Sequence, residues 1–200
     1  MSEGSGLEKF WADFVALDEN VGYFVTARLF EGTPAIWPEE VEYVRWRHVV
    51  ADLLGVDPVG VQLVGSARLG YSLNPGKDFR IFHEGSDLDI AIVSQEIFES
   101  TWVELKSLLG SSEFSGQKGY LRRLVFDECI GTEMVLPRLS IGEKWSKSRD
   151  SISAMLGPDF RALDVNYRIY RNHRALRDYQ IRGVSTARDR AIEGGVSSGR

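Results

Sequence analysis

The sequence predicts an α+β fold: a mixed β-sheet of about four to five strands flanked by helices. Three observations predict it. Short apolar runs rich in β-branched residues occur at 59–64, 87–93 and 163–170. The stretches between them carry apolar residues at helical spacing. The order read along the chain is helix, strand, strand, helix, strand, helix, strand, helix, which implies a sheet covered mostly on one face.

Each element has its own justification. Residues 1–6 are small and polar and are expected to be disordered. Leu7, Phe10, Trp11, Phe14 and Val15 share one helical face, so 7–17 reads as a short amphipathic helix. Residues 18–37, with Gly32, Pro34 and Trp37, read as irregular. Pro38 suits a first helical turn, and Glu39 and Glu40 complement its positive end. Tyr43, Trp46, Val50, Leu53 and Leu54 give that helix an apolar face, and Gly55 is its expected cap. Residues 59–64 form the first strand, 69–85 a loop, and 87–93 the second strand. Ser94 is placed to cap a helix with a stripe of Phe98, Trp102, Leu105 and Leu109. A loop is expected over 110–116, a third strand over 120–130, a loop over 131–142 and a helix over 143–156. In the last strand Leu163, Val165, Tyr167 and Ile169 share a face. A helix over 172–181 follows. From Gly183 the composition turns to Ser, Gly and Arg, which predicts a mobile tail. The expected organisation is therefore one domain over 1–182, with an N-terminal helical extension over about 1–55 and a flexible tail over 183–200.

Composition bounds the function. A chain of 200 residues can bury a substantial core. Its net charge of -5 argues against a dedicated nucleic-acid binder, which is usually basic. Cys129 is the single cysteine, so neither an internal disulfide nor a cysteine-rich zinc site can form. His48, His83 and His173 are too scattered for metal-ligand spacing. No basic start leads into an apolar stretch, and no run approaches the roughly 18 apolar residues of a membrane span. The expectation is a reduced, cytoplasmic setting without a membrane partner.

The most informative local pattern is Val64-Gly65-Ser66-Ala67-Arg68, followed by Ser86-Asp87-Leu88-Asp89-Ile90. Side chains two apart on a strand share a face, and Cα atoms there lie roughly 6.6 Å apart. Asp87 and Asp89 are thus close enough to grip one divalent cation, or to share a pair about 3.5–4 Å apart. Leu88, Ile90 and Ile92 then face the core. A paired acid beside a phosphate-sized Gly65-Ser66 turn suggests nucleotide chemistry.

These residues resemble the nucleotidyltransferase superfamily that includes DNA polymerase beta. The resembling parts are Gly65-Ser66 after an apolar strand and the Asp87-Leu88-Asp89-Ile90 strand. Gly65-Ser66-Ala67-Arg68-Leu69-Gly70 is similar to the form seen in minimal bacterial members. The specific part covers about thirty residues, and the architecture roughly 40–170. The spacer, 67–86, is longer than is usual in that family. The resemblance implies a Mg²⁺-dependent enzyme that moves a nucleoside monophosphate from an NTP or dNTP to a hydroxyl, with Gly65 letting the backbone approach a phosphate, Ser66 adding a hydroxyl and Arg68 pairing with a phosphate oxygen. Two Mg²⁺ ions would serve, with Mn²⁺ as an alternative. The acceptor is left open among a small molecule, a protein, an RNA end and another nucleotide. Bacterial relatives of this kind act in antiphage defence or as toxin–antitoxin components, which implies a partner protein as well. The alternative is a weakly active or inactive member of the fold that binds or regulates a partner.

The resemblance also implies a third carboxylate on a neighbouring strand, completing a catalytic and metal-binding set with Asp87 and Asp89. Asp164 is the first candidate, because it lies opposite the core-facing residues of its strand. Asp127 is the second. Asn166 shares the face of Asp164, and if it takes the third position, metal binding is expected to weaken. Arg161, Arg168, Arg171, Arg174, Arg177, Arg182, Arg188 and Arg190, interleaved with Tyr167, Tyr170 and Tyr179, make the C-terminal fifth basic. That run reads either as a stacking and electrostatic platform or as a solvated helix face.

Overall fold

A computed structural model describes residues 5–109, 116, 118–157, 160 and 163–193. The fold is α+β, as the sequence predicts. Four strands form one mixed sheet: β1 (Val61–Val64), β2 (Leu88–Val93), β3 (Cys129–Gly131) and β4 (Val165–Tyr170), in the order β1-β2-β4-β3. β2 runs antiparallel to β1 and parallel to β4, and β3 is antiparallel to β4.

The sheet has two unlike faces. One carries Val61, Leu63, Leu88, Ile90, Ile92, Ile130, Val165, Tyr167 and Ile169, all in the main core. Helix α3 (Glu40–Leu54) and helix α7 (Gly142–Ala154) cover that face. α3 does so with Tyr43, Trp46, Val50 and Leu54, and ends at Gly55 in the left-handed region. Trp145 of α7 locks the two helices together, its indole donating to the Leu54 carbonyl at 3.1 Å. The opposite face carries Val64, Asp89, Ala91, Cys129, Asn166, Arg168 and Tyr170. Part of it packs on Ala175 and Leu176 of helix α8 (His173–Glu193).

A second core joins the two ends of the chain. Helix α1 (Gly6–Val15) begins at a capping box: Ser5 Oγ accepts from the Glu8 amide, and Glu8 accepts from the Ser5 amide at 2.7 Å. Its Phe10 and Phe14 are buried with Phe24, Tyr71, Phe79, Val184, Ala187 and Ala191.

Several expectations need correction. Residues 18–37 are not all irregular. Asn20 caps a short helix α2 (Val21–Phe24), which widens into a π-helical turn over Val25–Phe30 and buries Phe24, Val25 and Leu29. The wide turn departs from the ordinary helical period, so its apolar residues do not announce a helix. The strand expected over 120–130 is helix α6 (Lys118–Phe126) followed by the short β3. Arg122 and Arg123 explain the choice. On a strand these neighbours would point to opposite faces, one of them into the sheet, whereas the helix exposes both. The tail expected from Gly183 is helical to Glu193, because Val184, Ala187 and Ala191 recur on one face and find the aromatic core of α1. Residues 194–200 lie outside the described residues, as do 110–115 of the loop expected over 110–116.

Smaller shifts leave the plan intact. In helix α5 (Gln95–Leu109) the Ile97 amide donates to Ser94 Oγ at 3.3 Å, but the helix buries Phe98, Thr101 and Leu105 while Trp102 stays exposed. The side chain of Leu109 lies outside the described residues. Among the described residues no helix is long and apolar enough to cross a membrane.

Candidate functional site

The two halves of the sequence pattern meet at one end of the sheet. β1 ends at Val64, which pairs in register with Asp89 of β2. The chain then turns into helix α4 (Gly65–Leu69). Gly65 sits at φ +69, and a Cβ added there would lie 2.7 Å from the Asp89 carboxylate oxygen Oδ2. Glycine is therefore required twice, for its backbone conformation and for the close approach of the acid. Gly65, Ser66, Asp87 and Asp89 line one cavity of about 570 Å³.

The spacer between the motif halves builds a wall of that cavity. Tyr71 and Ile81 form an isolated antiparallel bridge, making residues 71–81 a folded-back excursion. At its tip Asn74 Oδ1 accepts from the Gly76 amide at 2.9 Å, closing the turn that carries Lys77. Lys77 Nζ reaches Asp87 Oδ2 at 3.0 Å. Asp78 and Phe79 both hold positive φ (44° and 53°). Such backbone costs on the order of 1–3 kcal/mol per residue and persists only when its surroundings impose it. Here Phe79 is buried against Phe10 (ring centroids 5.0 Å apart), and the Tyr71 hydroxyl donates to Asp13 at 3.0 Å. α1 thus anchors the loop that presents Lys77.

The third strand of the site is β4. Its register with β2 pairs Asp89 with Asn166, and both side chains line the cavity. Asn166, not Asp164, lines the cavity beside Asp89. Asp164 lies just before β4, exposed, with its carbonyl accepting from the Leu88 amide at 2.9 Å. Asp127 is ion-paired with Arg182 at 3.3 Å. Two residues beyond Asn166 on the same face, Arg168 also lines the cavity. It donates to Glu133 Oε1 at 3.1 Å and to the Tyr179 hydroxyl, while its Nε is buried without a partner.

The electrostatics follow from this arrangement. Burial pushes the Asp89 carboxyl above the ordinary carboxylate range; Arg168 opposes the shift, Asp87 adds to it, and the Asn166 amide opposes it. Three cationic side chains, Lys77, Arg168 and Arg182, face the same cavity as Asp87, Asp89 and Glu133.

Arg68 is placed elsewhere. It is only 3% exposed, and its guanidinium donates to the carbonyls of Arg28 (3.0 Å) and Glu31, tying α4 to the turn after α2. It does not line the cavity. The C-terminal arginines are largely matched by acids. Arg171 meets Glu128 and Glu99, Arg174 meets Asp178, Arg182 meets Asp127, and Arg188 meets Asp189. Tyr167, Tyr170 and Tyr179 all line the cavity, the first two fully buried and Tyr179 half-buried. Arg161 lies outside the described residues.

Sequence reasoning did not find Lys77, Glu133 or the α8 residues Gln180 and Thr186 as parts of the site. Lys77 had a visible signal, the turn sequence Asn74-Pro75-Gly76 directly before it. The α8 residues had none, since nothing local ties them to the sheet.

As a metal site the donor set is two carboxylates and one amide oxygen. Among the described residues no three His, Cys, Asp or Glu side chains group to hold an ion. Asp87 and Asp89 with Asn166 nonetheless suit a hard cation that keeps several waters, such as Mg²⁺. Compared with known proteins, the chain matches no family model, no curated protein and no solved structure.

Proposed function

We propose that this protein binds a nucleoside triphosphate with a divalent cation in the cavity at the end of the sheet, and transfers its nucleoside monophosphate to a hydroxyl acceptor. The observation that carries the reading is the contact of Gly65 with Asp89. The glycine of the phosphate-type turn and the second acid of the Asp87/Asp89 pair are built against each other in one cavity.

Asp87 and Asp89 would hold the cation, which when bound supplies charge neutralisation at the transferring phosphoryl group and the leaving pyrophosphate. Ser66 offers the phosphates a hydroxyl at the cavity wall. Lys77, released from Asp87, supplies a point charge for the outer phosphates. In the transfer the acceptor oxygen bonds to the α-phosphorus and the α–β bridging P–O bond breaks. Pyrophosphate leaves with that electron pair, and the hydroxyl proton passes to water. The cation, the base, the sugar and a role in antiphage defence or a toxin–antitoxin pair belong to this proposal as expectations.

Incubation with labelled NTPs and dNTPs, Mg²⁺ or Mn²⁺, and protein, RNA and small-molecule acceptors tests it. Label is expected to move to an acceptor with the native chain and not with the Asp87→Ala/Asp89→Ala variant. Equal signals from both chains, or none from either, would remove the transfer reading.

A second reading is favoured by Asn166, an amide where the resemblance implies a carboxylate. It is a nucleotide-binding module that regulates a partner protein without transfer. Calorimetry separates the two: cation-dependent nucleotide binding with no turnover selects the second.

A further inference from the structure

The register of β4 against β2 bears on how many cations the cavity takes. The two-ion arrangement that the resemblance implies needs oxygen ligands enough to bridge and flank both ions, and enough negative charge to hold them together. Here the position beside Asp89 belongs to Asn166, a neutral side chain in register with that acid and lining the same cavity. Asp164, the remaining acid near this end of β4, is not among the cavity's lining residues. A fixed cation, Arg168, stands two residues along on the same face and inside the cavity, with its Nε buried and unpartnered. Of the three carboxylates in the cavity, Glu133 is engaged by Arg168 at 3.1 Å and Asp87 by Lys77 at 3.0 Å, so the lining carries no surplus of negative charge to hold a second divalent ion beside the guanidinium.

We infer that this cavity takes one divalent cation with its nucleotide instead of two, and that Asn166 sets that number, with Arg168 supplying fixed positive charge in the same cavity. The inference rests on the nucleotide-binding reading above.

The test counts ions directly. The full chain is saturated with the α,β-methylene analogues of ATP, GTP, CTP and UTP in turn. Mn²⁺ is then titrated in, with bound ion read by electron paramagnetic resonance and bound nucleotide by equilibrium dialysis. One Mn²⁺ per bound nucleotide is expected for the native chain, and two for Asn166→Asp, with circular dichroism confirming that the variant is folded. Two Mn²⁺ per bound nucleotide in the native chain would overturn the inference and leave the nucleotide-binding reading standing. So would Asn166→Asp remaining at one. No binding of any of the four analogues would overturn the nucleotide reading itself, and the inference with it. Should Asn166→Asp fail to fold, the native count decides alone.

Discussion

Gly65 concentrates the site's demands on a single residue. Any side chain there must adopt φ +69 and displace the Asp89 carboxylate. Gly65→Ala is therefore expected to cost about 1–3 kcal/mol of stability from backbone strain. It is also expected to weaken nucleotide binding by more than tenfold, because Asp89 must move. Urea unfolding and calorimetry with a methylene analogue read the two effects separately. Cys129 gives a second residue-scale prediction. It is fully buried, and that burial pushes its thiol up to about 11. The unfolded thiol titrates near pH ~8.5, so above that pH the unfolded chain gives up a proton that the folded chain keeps. Stability is thus intact below pH ~8.5 and falls as pH rises towards about 11, by up to ~1.4 kcal/mol per pH unit. Urea melts at pH 8 and pH 10 are expected to differ more for the native chain than for Cys129→Ala. A flat native profile would rule this out.

At the scale of elements, α8 does two things. Its first turns pack Ala175 and Leu176 on the sheet, and its last turns place Val184, Ala187 and Ala191 in the aromatic core of α1. Between them it sets Tyr179, Gln180 and Thr186 on the cavity wall. A chain ending at Gly183 loses the buried Val and two Ala side chains, on the order of 3 kcal/mol by area. It is expected to melt several degrees lower and to bind nucleotide more weakly, since the anchor of the Lys77 loop loosens with that core. Unchanged melting would mean that these residues contribute nothing to the fold. The spacer teaches a related lesson. Its Gly, Asn and Pro residues mark turns correctly, yet the loop is ordered because Tyr71 and Phe79 are buried in the core of α1 and α8. Local composition announces where a chain turns; it does not say whether a distant aromatic cluster will hold the turn.

For the whole molecule, the net charge of -5 and the pairing of Arg171, Arg174, Arg182 and Arg188 with acids argue against a basic platform for a phosphate backbone. Single-stranded RNA is accordingly expected to bind only weakly at physiological salt, in fluorescence anisotropy with a labelled oligonucleotide. Tight binding that falls steeply with salt would restore the arginine platform. The sequence by itself determined the fold class, the strands around Leu63, Ile90 and Tyr167, the helices α1, α3, α5 and α7, and the shared face of Asp87 and Asp89. These follow from periodicity and short-range spacing, which sterics impose locally. Only the tertiary structure decided that Asn166 stands beside Asp89, that Arg68 is drawn into the packing around α2, that Lys77 meets Asp87, and that the chain beyond Gly183 is helix. Each depends on strand register or on a core shared by segments far apart in the chain. A shift of one residue in β4 would exchange the side chains on its two faces, and no local pattern records that choice.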